Sequence, residues 1–213
     1  MTKFNTSLSP SLAILDQDGF VAGNWEWSPH THFSSVATTN SPIDSHAIGD
    51  SQPTNPTPRV SARTLDGGLR TGVQVVRLKT SRVDVEVVLS RGAGLSHVGF
   101  DGVPLGWQSP VAGPVHPSFV PLYRPDGLGW LAGFDEVLAR CGLLNVGGPQ
   151  FNEKNQLVHP LHGDIAYWPC QHAEANVDQE RRQLILTTRV EVVLFHFYRL
   201  ILETQTALSL DEP

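Results

Sequence analysis

The 213-residue sequence is poor in the features that most quickly assign a protein to a class. Its two cysteines, Cys141 and Cys170, form no Cys-x-x-Cys pair. A disulfide scaffold or zinc ribbon is therefore not expected, and reduced thiols in a cytoplasmic protein are the simpler reading. No stretch approaches the ~18 apolar residues of a membrane helix. The apolar run Leu12 to Leu15 is closed by Asp16 and is too short for the core of an export signal. Basic charge is scarce, with 15 Lys+Arg against 21 Asp+Glu, and no basic cluster is longer than Arg181-Arg182. This argues against a nucleic-acid partner.

The strong enzyme signatures are absent too. There is no Gly-x-Ser-x-Gly elbow, no Walker-type phosphate loop and no His-Glu-x-x-His, and the glycines of "RGAGLSHVGF" follow a strand without opening a helix. No cofactor and no metal are expected. His30 and His32 have a ligand-like spacing but no third ligand nearby, so an exposed polar loop is the better reading. His159 and His162 flank Pro160 and would share a metal only from an irregular loop.

What the chain does have is β texture behind a polar leader. Residues 1–58 are rich in Ser, Thr, Asn and Pro, with too few large apolar residues to offset the entropy of ordering. The expectation is a mostly irregular or disordered leader, with Trp25 and Trp27 able to pin a short piece onto the body. From residue 59 on, Val83, Val85, Val87 and Leu89 alternate with Asp84, Glu86, Val88 and Ser90, the period of a strand with one buried face. The alternation of "TGVQVVRLKT" slips at Val75-Val76, which predicts a β-bulge. Lys79 to Arg82 joins this strand to the next, Asp101-Gly102 turns a further hairpin, and "RQLILTTRVEVVLFHFYRLILETQTALS" supplies two or three strands after a turn in "VDQERR". One helix is predicted: Leu131, Phe134, Leu138 and Cys141 recur at spacings of three and four, with Gly142 as its stop. Strands around one short helix make the protein mainly β and mostly antiparallel.

His162-Gly163 is the most informative dipeptide, because a glycine beside an imidazole lets another group approach the backbone. A neutral pyranose needs histidine and arginine donors to its ring oxygen and hydroxyls, an acceptor carboxylate and an aromatic wall. Arg140, Asn145, Gln150, His162 and Trp168 offer most of that set. The plainer alternative is that Arg140 pairs with Glu136 at i, i+4 and that His162 is a satisfied loop histidine.

The order of these residues narrows the reading. "RCGLLNVGGPQF" followed by "HPLHGDIAYWP", together with "LSRGAGLSHVGFDGVPLGWQSPV" and "GLGWLAGFDEVLARCGL", resembles the aldose 1-epimerase-like proteins of the galactose mutarotase-like superfamily, from about Pro58 to about Leu210. The resemblance implies a β-supersandwich with a sugar cleft across one sheet. It matches Arg140 to a substrate-binding arginine, His162 to the sugar-contacting histidine, and Arg91 to an arginine whose role is equally well a structural salt bridge. It also implies an isomerase acting on an aldose or a derivative, with a second histidine as general acid and a carboxylate as general base.

Members of the superfamily carry that acid and base beyond the point matching "LETQTALSLDEP", so residues 59–213 are read as the N-terminal part of such a sandwich, apparently truncated. No catalytic residue is assigned, although Asp135, Glu136 and Asp164 lie near the candidate site in sequence. Two readings follow. One is a carbohydrate-binding protein whose partner is a small sugar. The other is a non-catalytic fragment or interaction module whose sheet is completed by another chain, with "LILTTRVEVVLFHFYRLIL" as the adhesive segment and self-association through exposed sheet edges.

Overall fold

The computed structural model describes residues 58–211 and, before them, the backbone of four strands between residues 12 and 35. Those strands are β1 (Leu12–Asp16), β2 (Gly19–Phe20), β3 (Trp25–Ser28) and β4 (Thr31–Ser35). They are followed by β5 (Arg59–Thr64), β6 (Gln74–Lys79), β7 (Val83–Val88), β8 (Gly94–Phe100) and β9 (Val103–Leu105). After a long connection come β10 (Gln150–Phe151), β11 (Leu157–His159), β12 (His172–Asp178), β13 (Gln183–Leu194) and β14 (Tyr198–Ser209).

Among the described residues the named strands pair only in antiparallel fashion. They build a seven-stranded sheet in the order β4-β3-β5-β6-β7-β8-β9, a five-stranded sheet in the order β14-β13-β12-β1-β2, and the small β10-β11 hairpin. The two large sheets share one core. Val60, Val76, Leu78, Val85 and Val87 from the first pack with Ala173, Leu184, Leu186, Val190 and Leu208 from the second. This is the antiparallel β-sandwich that the family resemblance implies, built on the antiparallel strands that the alternation predicts.

Four strands fall within the leader. Trp25 and Trp27 of β3 stand opposite Ala62 and Val60 of β5, while β1 pairs with β12. The rest of the leader lies outside the described residues, as does the spacing of His30 and His32, since His30 is not described and only the backbone of His32 is.

Two local expectations need correction. There is no bulge at Val75-Val76, where β6 pairs with both neighbours in continuous register. The alternation breaks because both faces are covered: Val76 faces the sandwich core, whereas Val75 packs with Val73 and Val88 in a second cluster. The irregularity instead lies one strand later, where Glu86 and Val87 of β7 stand opposite His97 and Leu95. The predicted helix is also not formed. Gly129–Gly133 makes a short 3-10 turn, and the chain from Phe134 to Cys141 is irregular. Its backbone is engaged elsewhere, since Val137 N–H donates to the Leu95 carbonyl of β8 at 2.8 Å, and the side chains of Asp135, Glu136 and Arg140 meet the turn before that strand.

Candidate functional site

The turn between β7 and β8 carries the sequence Arg91-Gly92-Ala93-Gly94, and its geometry explains the two glycines. Gly92 has φ +55, and a Cβ there would overlap the Ile165 carbonyl. At Gly94 a Cβ would lie 2.6 Å from the Glu136 carboxylate. The glycines therefore clear the seat of a buried ionic cluster rather than a phosphate.

In that cluster the Arg91 guanidinium donates to Asp135 and, at 2.9 Å, to Glu136. Arg140 donates from Nε to Glu136 Oε2 at 2.6 Å and from Nη2 to Glu136 Oε1 at 2.8 Å. Its Nη1 and Nη2 also donate to the main-chain carbonyls of Gly92 and Arg91. The Arg91 and Glu136 side chains are each 1% exposed. The cost of burying such groups is offset by an opposite charge and hydrogen bonds within reach of each. The Arg91 guanidinium lies 5.1 Å from the centre of the Tyr167 ring, and burial pushes the Tyr167 phenol well above its ordinary range.

Arg140 then leads directly into a braid of two loops. Gly142 N–H donates to the His162 carbonyl at 2.9 Å, Ile165 N–H to the Gly142 carbonyl at 3.1 Å, and His162 N–H to the Gly147 carbonyl at 2.8 Å. Asn145 is buried between the loops, and its amide donates to the carbonyls of Gly148 and Pro160, each at 2.9 Å. Its side-chain oxygen accepts from Gln150 Nε2 at 3.0 Å. Both His162 (φ +58) and Gly163 (φ +76) are left-handed. A Cβ on Gly163 would stand 2.5 Å from the Gly142 oxygen. The glycine of the His-Gly pair is thus required for the loops to meet.

The candidate residues divide into two groups. Arg140 and Asn145 face inward, with all of the Arg140 guanidinium nitrogens and the Asn145 amide engaged by the protein itself. The other three are at least partly accessible: His162 is half-buried, Gln150 is exposed and Trp168 is 39% exposed. The His162 ring stands edge-on to Trp130 at 4.8 Å, and its Nδ1 lies 3.2 Å from the Cys141 sulfur.

Sequence reasoning missed Arg91, Asp135 and Glu136 as a unit, and missed Trp130 and Cys141 as the bed of His162. Of the three nearby carboxylates, Asp135 and Glu136 are tied to arginines. Asp164 instead accepts from the Tyr123 hydroxyl at 3.3 Å, and burial raises that phenol to about 12. Among the described residues no group of three or more His, Cys, Asp or Glu is placed to hold a metal ion. No helix among them is long and apolar enough to cross a membrane.

Comparison with known proteins bears on both fold and family. The family described as "Domain of unknown function (DUF4432)", of the galactose mutarotase-like type, matches residues 70–213. The crystal structure of a candidate aldose 1-epimerase from Klebsiella pneumoniae subsp. pneumoniae MGH 78578 superposes with a TM-score of 0.77 at 22% sequence identity, over 94% of this chain and 48% of that one. The chain thus spans about half the length of that protein. Among curated proteins nothing matches.

Proposed function

The chain belongs to the DUF4432 family, and from that premise we propose that it binds an aldose or an aldose derivative on the loops that carry His162. The observation that carries the reading is the braid itself. It fixes an imidazole in a left-handed turn, edge-on to a buried tryptophan, with a glycine beside it and an exposed indole, Trp168, six residues on. Sugar recognition uses donors and acceptors held rigidly before the ligand arrives, with an aromatic face for the apolar side of the ring. His162 and Gln150 are the polar contacts in this reading, and Trp168 is the wall. Arg140 and Asn145 are positioning residues that hold the loops from behind. The kinship in fold with a candidate aldose 1-epimerase supports the choice of ligand class.

Mutarotation needs a base to take the anomeric hydroxyl proton and an acid to protonate the ring oxygen, each contributing on the order of 10² to 10⁴ in rate. With Asp135 and Glu136 committed to arginines and Asp164 accepting from the Tyr123 hydroxyl, binding without appreciable turnover is expected.

Titration of the chain with glucose, galactose and their 6-substituted derivatives, followed by Trp fluorescence and calorimetry, tests the proposal. Saturable binding that His162→Asn removes is the expected result, asparagine being tolerant of a left-handed backbone. No binding across the panel, or binding indifferent to His162→Asn, overturns the reading. Polarimetry on fresh α-glucose or α-galactose reads turnover in the same samples.

A further inference from the structure

The two braided loops meet through side chains as well as through their backbones. Gly142 and Gly163 form a parallel bridge, so the residues before them, Cys141 and His162, stand side by side. The Cys141 sulfur lies 3.2 Å from His162 Nδ1, within reach of a hydrogen bond between a thiol and an imidazole. Both partners are held from behind. Cys141 follows Arg140, whose guanidinium is engaged by Glu136 and by the carbonyls of Gly92 and Arg91. The His162 N–H donates to the Gly147 carbonyl at 2.8 Å, its carbonyl accepts from Gly142 N–H at 2.9 Å, and its ring stands edge-on to Trp130.

We propose that Cys141 is a positioning residue for His162: its thiol donates to Nδ1 and keeps the ring proton on Nε2, which, on the reading that His162 contacts the sugar, makes the ligand group met there an oxygen acceptor. A neutral imidazole has one proton for two nitrogens, and the partner of one nitrogen decides the role of the other. Cys141 and His162 can share hydrogen in three ways. The thiol can donate to the Nδ1 lone pair, the thiol proton can pass to Nδ1 to give a thiolate and an imidazolium, or Nδ1–H can donate to the sulfur. The first two leave a proton on Nε2. Only the third leaves a bare lone pair there, and it spends the ring's one donor on sulfur, a weak acceptor, while the thiol hydrogen goes without the ring's lone pair.

The polarity of Nε2 then bears on which ligand groups fit. An N–H there suits the ring oxygen of a pyranose, a hydroxyl lone pair or the carboxylate of a sugar acid. It excludes from that position a group that can only donate, such as the ammonium of an amino sugar.

Nitrogen-15 NMR of the uniformly labelled full chain reads the tautomer, the His162 ring signals being those that His162→Asn removes. At a pH where the ring is neutral, Nδ1 is expected to be unprotonated and Nε2 protonated in the free protein. Cys141→Ala should turn this into an exchange-averaged mixture of both tautomers and weaken sugar binding roughly fivefold, about the net worth of one hydrogen bond. Cys141→Ser, whose hydroxyl also donates, should keep the tautomer and most of the binding. Neither substitution adds volume at the contact, so melting temperatures should stay close to that of the parent, and a purely structural role for the thiol would leave the ring signals alone. A proton on Nδ1 in the parent, the same tautomer in the parent and in Cys141→Ala, or a serine variant that behaves like the alanine one overturns the proposal. The tautomer is read without ligand. Failure of every sugar to bind would therefore remove the reading of His162 as a ligand contact, while the role of Cys141 toward the ring is decided by the spectra alone.

Discussion

Two arginine–carboxylate systems of the same chemistry sit in this molecule with opposite consequences. In the first, Arg91, Asp135, Glu136 and Arg140 have side-chain exposures of 1, 8, 1 and 22%. In the second, Arg189, Glu191, Arg199 and Glu203 on the β13–β14 hairpin are 33, 25, 61 and 65% exposed. Taking a charge out of water costs several kcal/mol, so a buried group survives only with its partners in place. Water and salt screen the exposed set, and each of its pairs adds little to folding. The buried quartet therefore dictates which segments of the chain meet, bringing residues 135–140 onto the 91–94 turn. The exposed ladder lies within one hairpin and dictates no such meeting.

The largest effect is expected from breaking the buried set at its centre. Glu136→Ala leaves both Arg91 and Arg140 without their shared carboxylate, and by comparison with other severed buried pairs it should cost about 3–5 kcal/mol. Urea or thermal unfolding measures the loss, and a variant too unstable to purify folded is the same result at its limit. A cost close to zero would erase the contrast between the two systems.

Next comes the braid that this cluster supports. Gly163→Ala puts a Cβ against the Gly142 and Asn145 carbonyls at φ +76, whereas Gly102→Ala meets nothing within 4 Å at φ +77. Both pay for a left-handed backbone, on the order of 1–3 kcal/mol, but only the first must also move the loops. Gly163→Ala should therefore lose more stability than Gly102→Ala and lose sugar binding, which Gly102→Ala should keep. Equal behaviour of the two variants would mean that close approach at the His-Gly pair has no role.

How much of this was legible in the sequence follows from the range of the forces involved. The β13–β14 hairpin and the β7 strand could be read because alternation is local and the sheets enforce it. Val75-Val76 misled because the cover on the second face comes from Val73 and Val88, the latter on the next strand. The segment Leu131 to Cys141 misled more deeply. Its three-four spacing fits a helix, yet Asp135 and Glu136 bind Arg91, more than 40 positions earlier. A buried ion pair outweighs a propensity of tenths of a kcal/mol per residue. His162-Gly163 was singled out for the freedom that glycine confers, and that freedom is used, at a contact with Gly142 that no local pattern announces. Arg140 could be seen to pair with Glu136, but not to cap the carbonyls of Arg91 and Gly92.

Between the extremes lies Arg77–Asp84, with side chains 38 and 18% exposed. The hydrogen bond from Arg77 holds the Asp84 carboxyl below its ordinary 3.8. A carboxylate with a depressed folded-state value contributes stability that is complete above the unfolded-state value and disappears as pH falls through the folded-state one. The parent protein should therefore lose this contribution below pH 3.8, and Asp84→Asn should flatten that part of the melting-temperature profile while lowering its neutral plateau slightly. A profile unchanged by the substitution would place the pair with the exposed ladder instead.

The smallest effect is expected from the exposed ladder itself, and it is the most discriminating. Glu191 accepts from both Arg189 and Arg199, and the bond from Arg199 holds its carboxyl below the usual range. Holding two arginines, it is as central to its cluster as Glu136 is to the other. Glu191→Gln, however, leaves two arginines that water can solvate at once, so nothing is stranded. The melting temperature at neutral pH should be unaltered, at low and at high salt, whereas Glu136→Gln measured alongside should melt distinctly lower at both. If Glu191→Gln destabilises as much as Glu136→Gln, burial is not what separates the two clusters, and the hairpin charges hold the fold as the buried ones do.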